Sequence, residues 1–468
     1  MRAWILMWAA LAAQVPQVWT DEAVKRMEVP LVRPEYTPRH ISAEDYYRIP
    51  ERKIYRAYPV YHPSREPKGY WDWLQSREPE IAFDAGKLKT GQDWIAAGER
   101  VFNAGTVFGP MFFGPDQVRD AAFYEKNGMP VAADGTIPFA TWVVREKGKV
   151  ELASVGCSTC HTRVMRDGTV IAGGQGNNPG DRQGAALLEV AARFAGREKV
   201  LAQARGFAAQ FELPWMENDF NRQAREASLE EMMAAGRAIP PGVSARTFTS
   251  LYAPPQIPDL IGVKDRKFLD HTGFVRHNEP GDLMRYSSIA QDMIGYARFG
   301  DYPAAKTPQA GKGVRYSDAQ LYALAQYLYS LKPPKNPHRP DAQSRRGRVV
   351  FNRSGCADCH TPPLYTNNKL IPAGEIGTDP RTALATRRGT GYYKVPSLLG
   401  VWYRGPFEHN GSVATLEDWF DAARLKDSYR PTGFVGSEGK PRAVKGHEYG
   451  LDLSPEDKRA LIAFLRTL

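Results

Sequence analysis

The chain has 468 residues, of which 42% are apolar, 24% charged and 11% aromatic. Such a composition describes a globular protein of two to four domains and excludes a disordered or fibrous chain. The net charge of +10 permits an acidic partner, but the basic residues form no block, which argues against nucleic-acid binding.

At the start, Met1-Arg2 precedes an apolar run from Ala3 to Ala13. The run is too short to span a bilayer, so no transmembrane span is expected. It reads as a secretory signal over 1–13 with Ala10-Leu11-Ala12 as the small-residue cleavage site, which predicts a periplasmic or secreted protein. Residues 14–88 form a Tyr/Pro-rich extension, and within it Tyr36–Trp73 is expected to wrap the first domain as an irregular strap. Two domains then follow, 89–335 and 336–468, joined at the proline-rich stretch Lys332–Pro337.

All four cysteines fall in Cys-x-x-Cys-His units, Cys157-Ser158-Thr159-Cys160-His161 and Cys356-Ala357-Asp358-Cys359-His360. Two thiols at this spacing add across the vinyl groups of one haem, and the adjacent histidine reaches the iron. A structural zinc site needs four clustered ligands, and a thioredoxin-like pair does not need the histidine. The expected cofactors are therefore two covalently bound c-type haems, with His161 and His360 as axial ligands.

Matching spacings reveal an internal repeat around these motifs. Gly98-Glu99-Arg100-Val101-Phe102-Asn103 matches Gly347-Arg348-Val349-Val350-Phe351-Asn352, and the Pro-x-Leu-x-Gly-Val turn at Pro258–Val263 matches Pro396–Val401. His271-Thr272-Gly273 and His409-Asn410-Gly411 follow at the same offset from the proline. Each copy closes with an apolar-periodic helix, Ser317–Leu331 and Ser454–Leu468. The first copy carries large insertions on both sides of its motif, where access and specificity are expected to be built.

The sixth position of each iron decides between electron transfer and reaction with peroxide or oxygen. The last methionine is Met293, so the second copy has no thioether ligand to offer. His271 and His409 occupy matched positions and read as shared elements hydrogen-bonding near a haem. His447 has no counterpart, because the matching position is Ala310, and it is the expected sixth ligand of haem 2. His277, Met165 and Met216 are weak candidates at haem 1, which is therefore read as open and as the reactive centre. Trp215 is read as core packing, and the loop Gly173–Asn178 is not a phosphate loop because no Lys-Ser/Thr follows.

The sequence resembles the bacterial dihaem cytochrome c peroxidase superfamily at Tyr393–Leu398, at Gly405-Pro406-Phe407-Glu408-His409-Asn410-Gly411-Ser412 and at Thr415-Leu416-Glu417. The resemblance implies an all-α fold of two cytochrome c domains related by a pseudo-twofold axis. The methionine that usually follows Thr-Leu-Glu is missing from Trp419–Ala423, and a Gly-rich loop replaces a displaceable histidine after the first motif. Both departures are similar to the rubber-oxygenase branch, as is His271–Tyr286. The backbone at Arg404-Gly405-Pro406 matches an interdomain calcium site of the peroxidases, so calcium is a possible further cofactor. The expected function is peroxide activation at haem 1, with electrons from a small donor cytochrome or cupredoxin passing through haem 2. The alternatives are a dioxygenase using O2 at haem 1 and a pure electron-transfer cytochrome.

Overall fold

A computed structural model describes residues 15–107, 114–209, 220–245, 250–299, 302–303, 313–384 and 386–468. The signal segment, Trp215, Met216 and Ala310 lie outside these residues.

The repeat appears as two crossed helix pairs. Gly91–Asn103 packs on Asp318–Ser330, and Ala342–Arg353 packs on Pro455–Arg466. The serines foreseen as helix starts are N-caps: Ser317 accepts from the Gln320 amide and Ser454 from the Asp457 amide. The matched glycines make both crossings close. A Cβ on Gly98 would lie 1.9 Å from the Ala323 carbonyl oxygen, and one on Gly347 would lie 1.9 Å from that of Ala460. Behind them Val101, Phe102, Val350 and Phe351 are all buried.

The fold is mixed α/β, which corrects the all-α expectation. A four-stranded antiparallel sheet runs in the order Ala57–Tyr61, Thr136–Glu146, Lys149–Val155, Thr106–Val107. Three of its strands come from the insertion between Phe102 and Cys157, and the fourth comes from the extension. Thr136–Glu146 is rich in β-branched and aromatic residues and turns back through Gly148 at φ 79°. The repeat exposes only what the copies share, so an element unique to one copy leaves no matching pattern.

The strap reading is corrected for the same reason. Its Tyr58 stands opposite Trp142 in the sheet, and Tyr70–Gln75 is a helix beside it. The start of the extension is also core: Trp19 stacks on Tyr46 at 4.5 Å, and Tyr46 hydrogen-bonds Ser288. The insertion after the first motif is helical, with helices Gly180–Ala195, Arg197–Ala209, Phe220–Glu226 and Leu229–Ala238. No helix among the described residues is long and apolar enough to cross a membrane.

Candidate haem-binding sites

Cys157–Cys160 and Cys356–Cys359 each form one helical turn, and the following histidine leaves the helix. His161 Nδ1 donates to the Pro258 carbonyl at 3.0 Å. His360 Nδ1 donates to the carbonyls of Pro396 at 3.1 Å and Tyr365 at 3.2 Å. A carbonyl only accepts, so Nδ1 carries the proton in both rings and Nε2 keeps its lone pair for a metal. The two prolines are the matched prolines of the repeat, which gives that motif its chemical reason. Each turn closes identically, Val263 N to Leu260 O and Val401 N to Leu398 O, with Gly262 and Gly400 in the left-handed region.

At the second motif a cavity of about 380 Å3 is lined by Cys356, Cys359, His360 and His447, with Phe351 and Leu461 among its apolar walls. The rings of His360 and His447 face each other with centroids 6.2 Å apart. An iron bonded to a nitrogen on each side at about 2.0 Å sets ring centres roughly 6.3 Å apart, so the gap suits one metal ion. Burial lowers the basicity of both rings, that of His360 to about 4, which favours the neutral form that ligates. His447 sits at φ 48° with its amide bonded to Ile376 O and its ring edge-on to Trp419 at 5.2 Å. Its Nδ1 is buried without a hydrogen-bond partner.

Arg266, Lys394 and Arg404 line the same cavity, with Asp259 as a nearby buried carboxylate. Burial, and then Arg266, pushes Lys394 down to about 7. A porphyrin needs an apolar slot, paired thiols, axial nitrogens and cations for its two carboxylates. These residues supply all four, so the cavity fits a c-type haem.

At the first motif Cys157 packs on the cluster containing Phe102, Leu321, Leu324 and Leu328. Nearby Tyr316 is buried and accepts from Arg52 Nη1 at 2.8 Å. The glycine loop backs onto the motif: Gly173 N donates to His161 O at 2.7 Å, and a Cβ on Gly176 would lie 1.9 Å from Cys160 O. Of the weak ligand candidates, His277 uses both ring nitrogens, on Arg266 O and the Tyr329 hydroxyl. Met165 lies in the turn between two short paired strands, its amide on Thr169 O.

His271 and His409 both line the second-motif cavity, although they come from different copies. His271 Nε2 donates to Gln256 O at 2.8 Å, while His409 Nδ1 lies 2.7 Å from Glu408 Oε2. The residues before them, Asp270 and Glu408, are both acidic, both left-handed at φ 68° and 72°, and both accept the following amide. This acid–histidine match was visible in the sequence as Asp270-His271 and Glu408-His409, but only the geometry gives it meaning. The two motifs are also joined. Pro258, which accepts from His161, itself lines the second cavity, so one hydrogen bond separates the first imidazole from that wall.

The carbonyls of Gly405 and Pro406 are already occupied by protein donors. Arg163 Nη1 bonds Gln175 O and Gly405 O, Gln175 Nε2 bonds Gly242 O and Pro406 O, and Gln256 Nε2 bonds Pro406 O. Among the described residues no group of three His, Cys, Asp or Glu side chains is placed to hold a metal ion. These residues do not fit calcium. Gln175, inside the glycine loop, is 0% exposed and was invisible to spacing arguments.

A chain with these two thiol–histidine turns and the facing histidine pair has the construction of a c-type haem protein. Comparison with known proteins places it beside the dihaem peroxidases. It is 29% identical over 171 residues to the methylamine utilization protein MauG of Methylorubrum extorquens, covering 33% of this chain and 44% of that protein. It is 26% identical over 182 residues to the cytochrome c551 peroxidase of Pseudomonas aeruginosa, covering 34% and 46% respectively. The chain thus spans less than half the length of these curated relatives. Among solved structures, a MauG-like protein associated with microbial copper homeostasis superposes loosely, with a TM-score of 0.32 at 18% identity over 58% of this chain and 88% of that one. No protein-family model matches.

Proposed function

We propose that the chain is an exported dihaem c-type cytochrome oxidoreductase of the peroxidase kind. Haem 1, on Cys157, Cys160 and His161, is the site of peroxide reduction; haem 2, on Cys356, Cys359, His360 and His447, relays electrons from a small donor protein. The observation that carries this reading is the 6.2 Å separation of the His360 and His447 rings, which would let the two hold one iron between them. The first copy has Ala310 where the second has His447, which supports an open first iron.

When bound, the haems supply the irons at which peroxide gains two electrons and two protons to become water. The chain's own residues set the terms. Pro258 O and Pro396 O draw on the Nδ1 protons of His161 and His360, making each ligand nitrogen a stronger donor. A second imidazole in place of a thioether favours the oxidised state, so haem 2 is a low-potential centre. The contact of His161 with the second cavity wall at Pro258 supports fast passage between the two.

The test is to add hydrogen peroxide to the holoprotein with a reduced small c-type cytochrome. Two cytochromes oxidised per peroxide is the expected result. Oxygen uptake with cleavage of an apolar alkene, and no peroxide turnover, overturns it in favour of a dioxygenase. Spectra unmoved by peroxide, oxygen, cyanide and carbon monoxide overturn it in favour of a pure carrier.

A further inference from the structure

A second cavity, of about 240 Å3, opens beside the first and shares only His271 and His409 with it. One wall is apolar and comes from the first copy: Tyr252, Ala253, Pro254 and Pro255, faced by Phe434 from the second. The opposite wall is cationic. Arg381 is neutralised by Asp379 at 2.6 Å and Lys440 by Glu438 at 2.5 Å. Arg442 differs. It donates Nη2 to Ser412 Oγ and Phe434 O, both at 2.9 Å, and pairs directly with no carboxylate among the described residues, although it feels the charges of Asp379 and Glu408 from further off.

The nearby carboxylate of Glu408 is committed elsewhere, to His409 and Thr378. Because Glu408 fixes the His409 proton on Nδ1, the opposite nitrogen, Nε2, keeps its lone pair and can only accept. The His409 side chain is 11% exposed and is backed by the Tyr393 ring at 4.9 Å. The cavity therefore combines a half-buried guanidinium with no directly paired carboxylate among the described residues and a slot of proline and aromatic faces. It is smaller than the usual drug-sized pocket and suits a molecule of roughly ten non-hydrogen atoms.

We propose that this cavity is a binding site for a small aromatic carboxylate, its anionic head on Arg442 and its ring between Tyr252, Pro254 and Phe434. A bound anion stands one imidazole away from the haem 2 cavity, so it disfavours an added electron there and lowers the haem 2 potential. Only this effect on potential rests on the proposed haem assignment; binding itself does not.

Benzoate is the probe, titrated into the oxidised holoprotein by calorimetry and, in parallel, into a redox titration of haem 2. One saturable site and a fall in the haem 2 midpoint are expected. Arg442→Gln weakens binding about tenfold or more, as for loss of a charge-assisted hydrogen bond. Arg442 also ties down Phe434 O, so Ala253→Trp, which fills the slot from the other wall, is the independent variant; it abolishes the heat and leaves the haem spectra unchanged. Absence of saturable heat up to about 10 mM, an affinity too weak to matter, overturns the proposal. So does binding that survives Ala253→Trp, as benzoate on an open iron would. The low-spin signal recorded before any benzoate judges the haem assignment separately.

Discussion

Arg424 is 1% exposed and donates to four carbonyls: Nε to Trp419 O at 3.0 Å, Nη1 to Val444 O at 2.6 Å, and Nη2 to Gly446 O at 3.0 Å and His447 O at 2.9 Å. It holds the loop that turns His447, at a left-handed φ, toward His360. Arg424→Leu strands those carbonyls and costs on the order of 3 kcal/mol. If His447 holds the haem 2 iron as proposed, the variant also frees that ligand, so its optical spectra gain high-spin character at haem 2, and Arg424→Lys restores part of the low-spin form. On the proposed ligation, His447→Ala removes the sixth ligand and creates a second high-spin haem, with no change at haem 1; an unaltered spectrum refutes the assignment. His447 stood out because counting histidines and methionines left it as the unmatched residue of the second copy, and the structure sets its ring 6.2 Å from that of His360. Arg424 and Glu408 did not, because contacts from a guanidinium to carbonyls, or from a carboxylate to its neighbour's ring, follow no sequence spacing.

Among elements, the paired helices carry most of what the repeat disclosed. Gly98→Ala or Gly347→Ala forces the crossing helices apart at the carbonyls of Ala323 and Ala460. Each substitution is expected to destabilise by roughly 2–3 kcal/mol, measured by chemical denaturation. The second crossing is also pinned by charge, since Asp457 accepts from Arg346 at 2.9 Å and from Arg353. Hydrogen bonding to Arg346, with the nearby Arg353 charge, holds the Asp457 carboxyl below its ordinary value. A depressed folded value stabilises above the unfolded value of about 4 and is lost as pH falls through the folded one. Asp457→Asn therefore lowers the melting temperature at pH 7 and leaves it nearly unchanged near pH 2. The helices were legible from matched glycines, caps and leucine periodicity. The sheet was not: Thr136–Glu146 has its pairing partners on distant segments, Tyr58 among them, and no second copy to reveal them.

Across the whole molecule, the two copies are stitched by neutral and cationic donors on backbone carbonyls. Gln175 accepts from Gly405 N at 3.0 Å while donating to Gly242 O and Pro406 O, and Arg163 adds a bond to Gly405 O. Chelators are thus expected to leave the melting temperature unchanged, whereas Gln175→Ala, which orphans the Gly405 amide, costs about 1–3 kcal/mol. A chelator-induced drop would show that a metal ion shares this seam.

The proposed function turns on an asymmetry between the irons, one closed by His360 and His447 and one, on His161, left open. Electron paramagnetic resonance of the oxidised holoprotein, before and after cyanide, tests it most directly. One low-spin signal from a bis-histidine haem, unmoved by cyanide, and one high-spin signal that cyanide converts are the expected result. Two low-spin signals, both indifferent to cyanide, would contradict it.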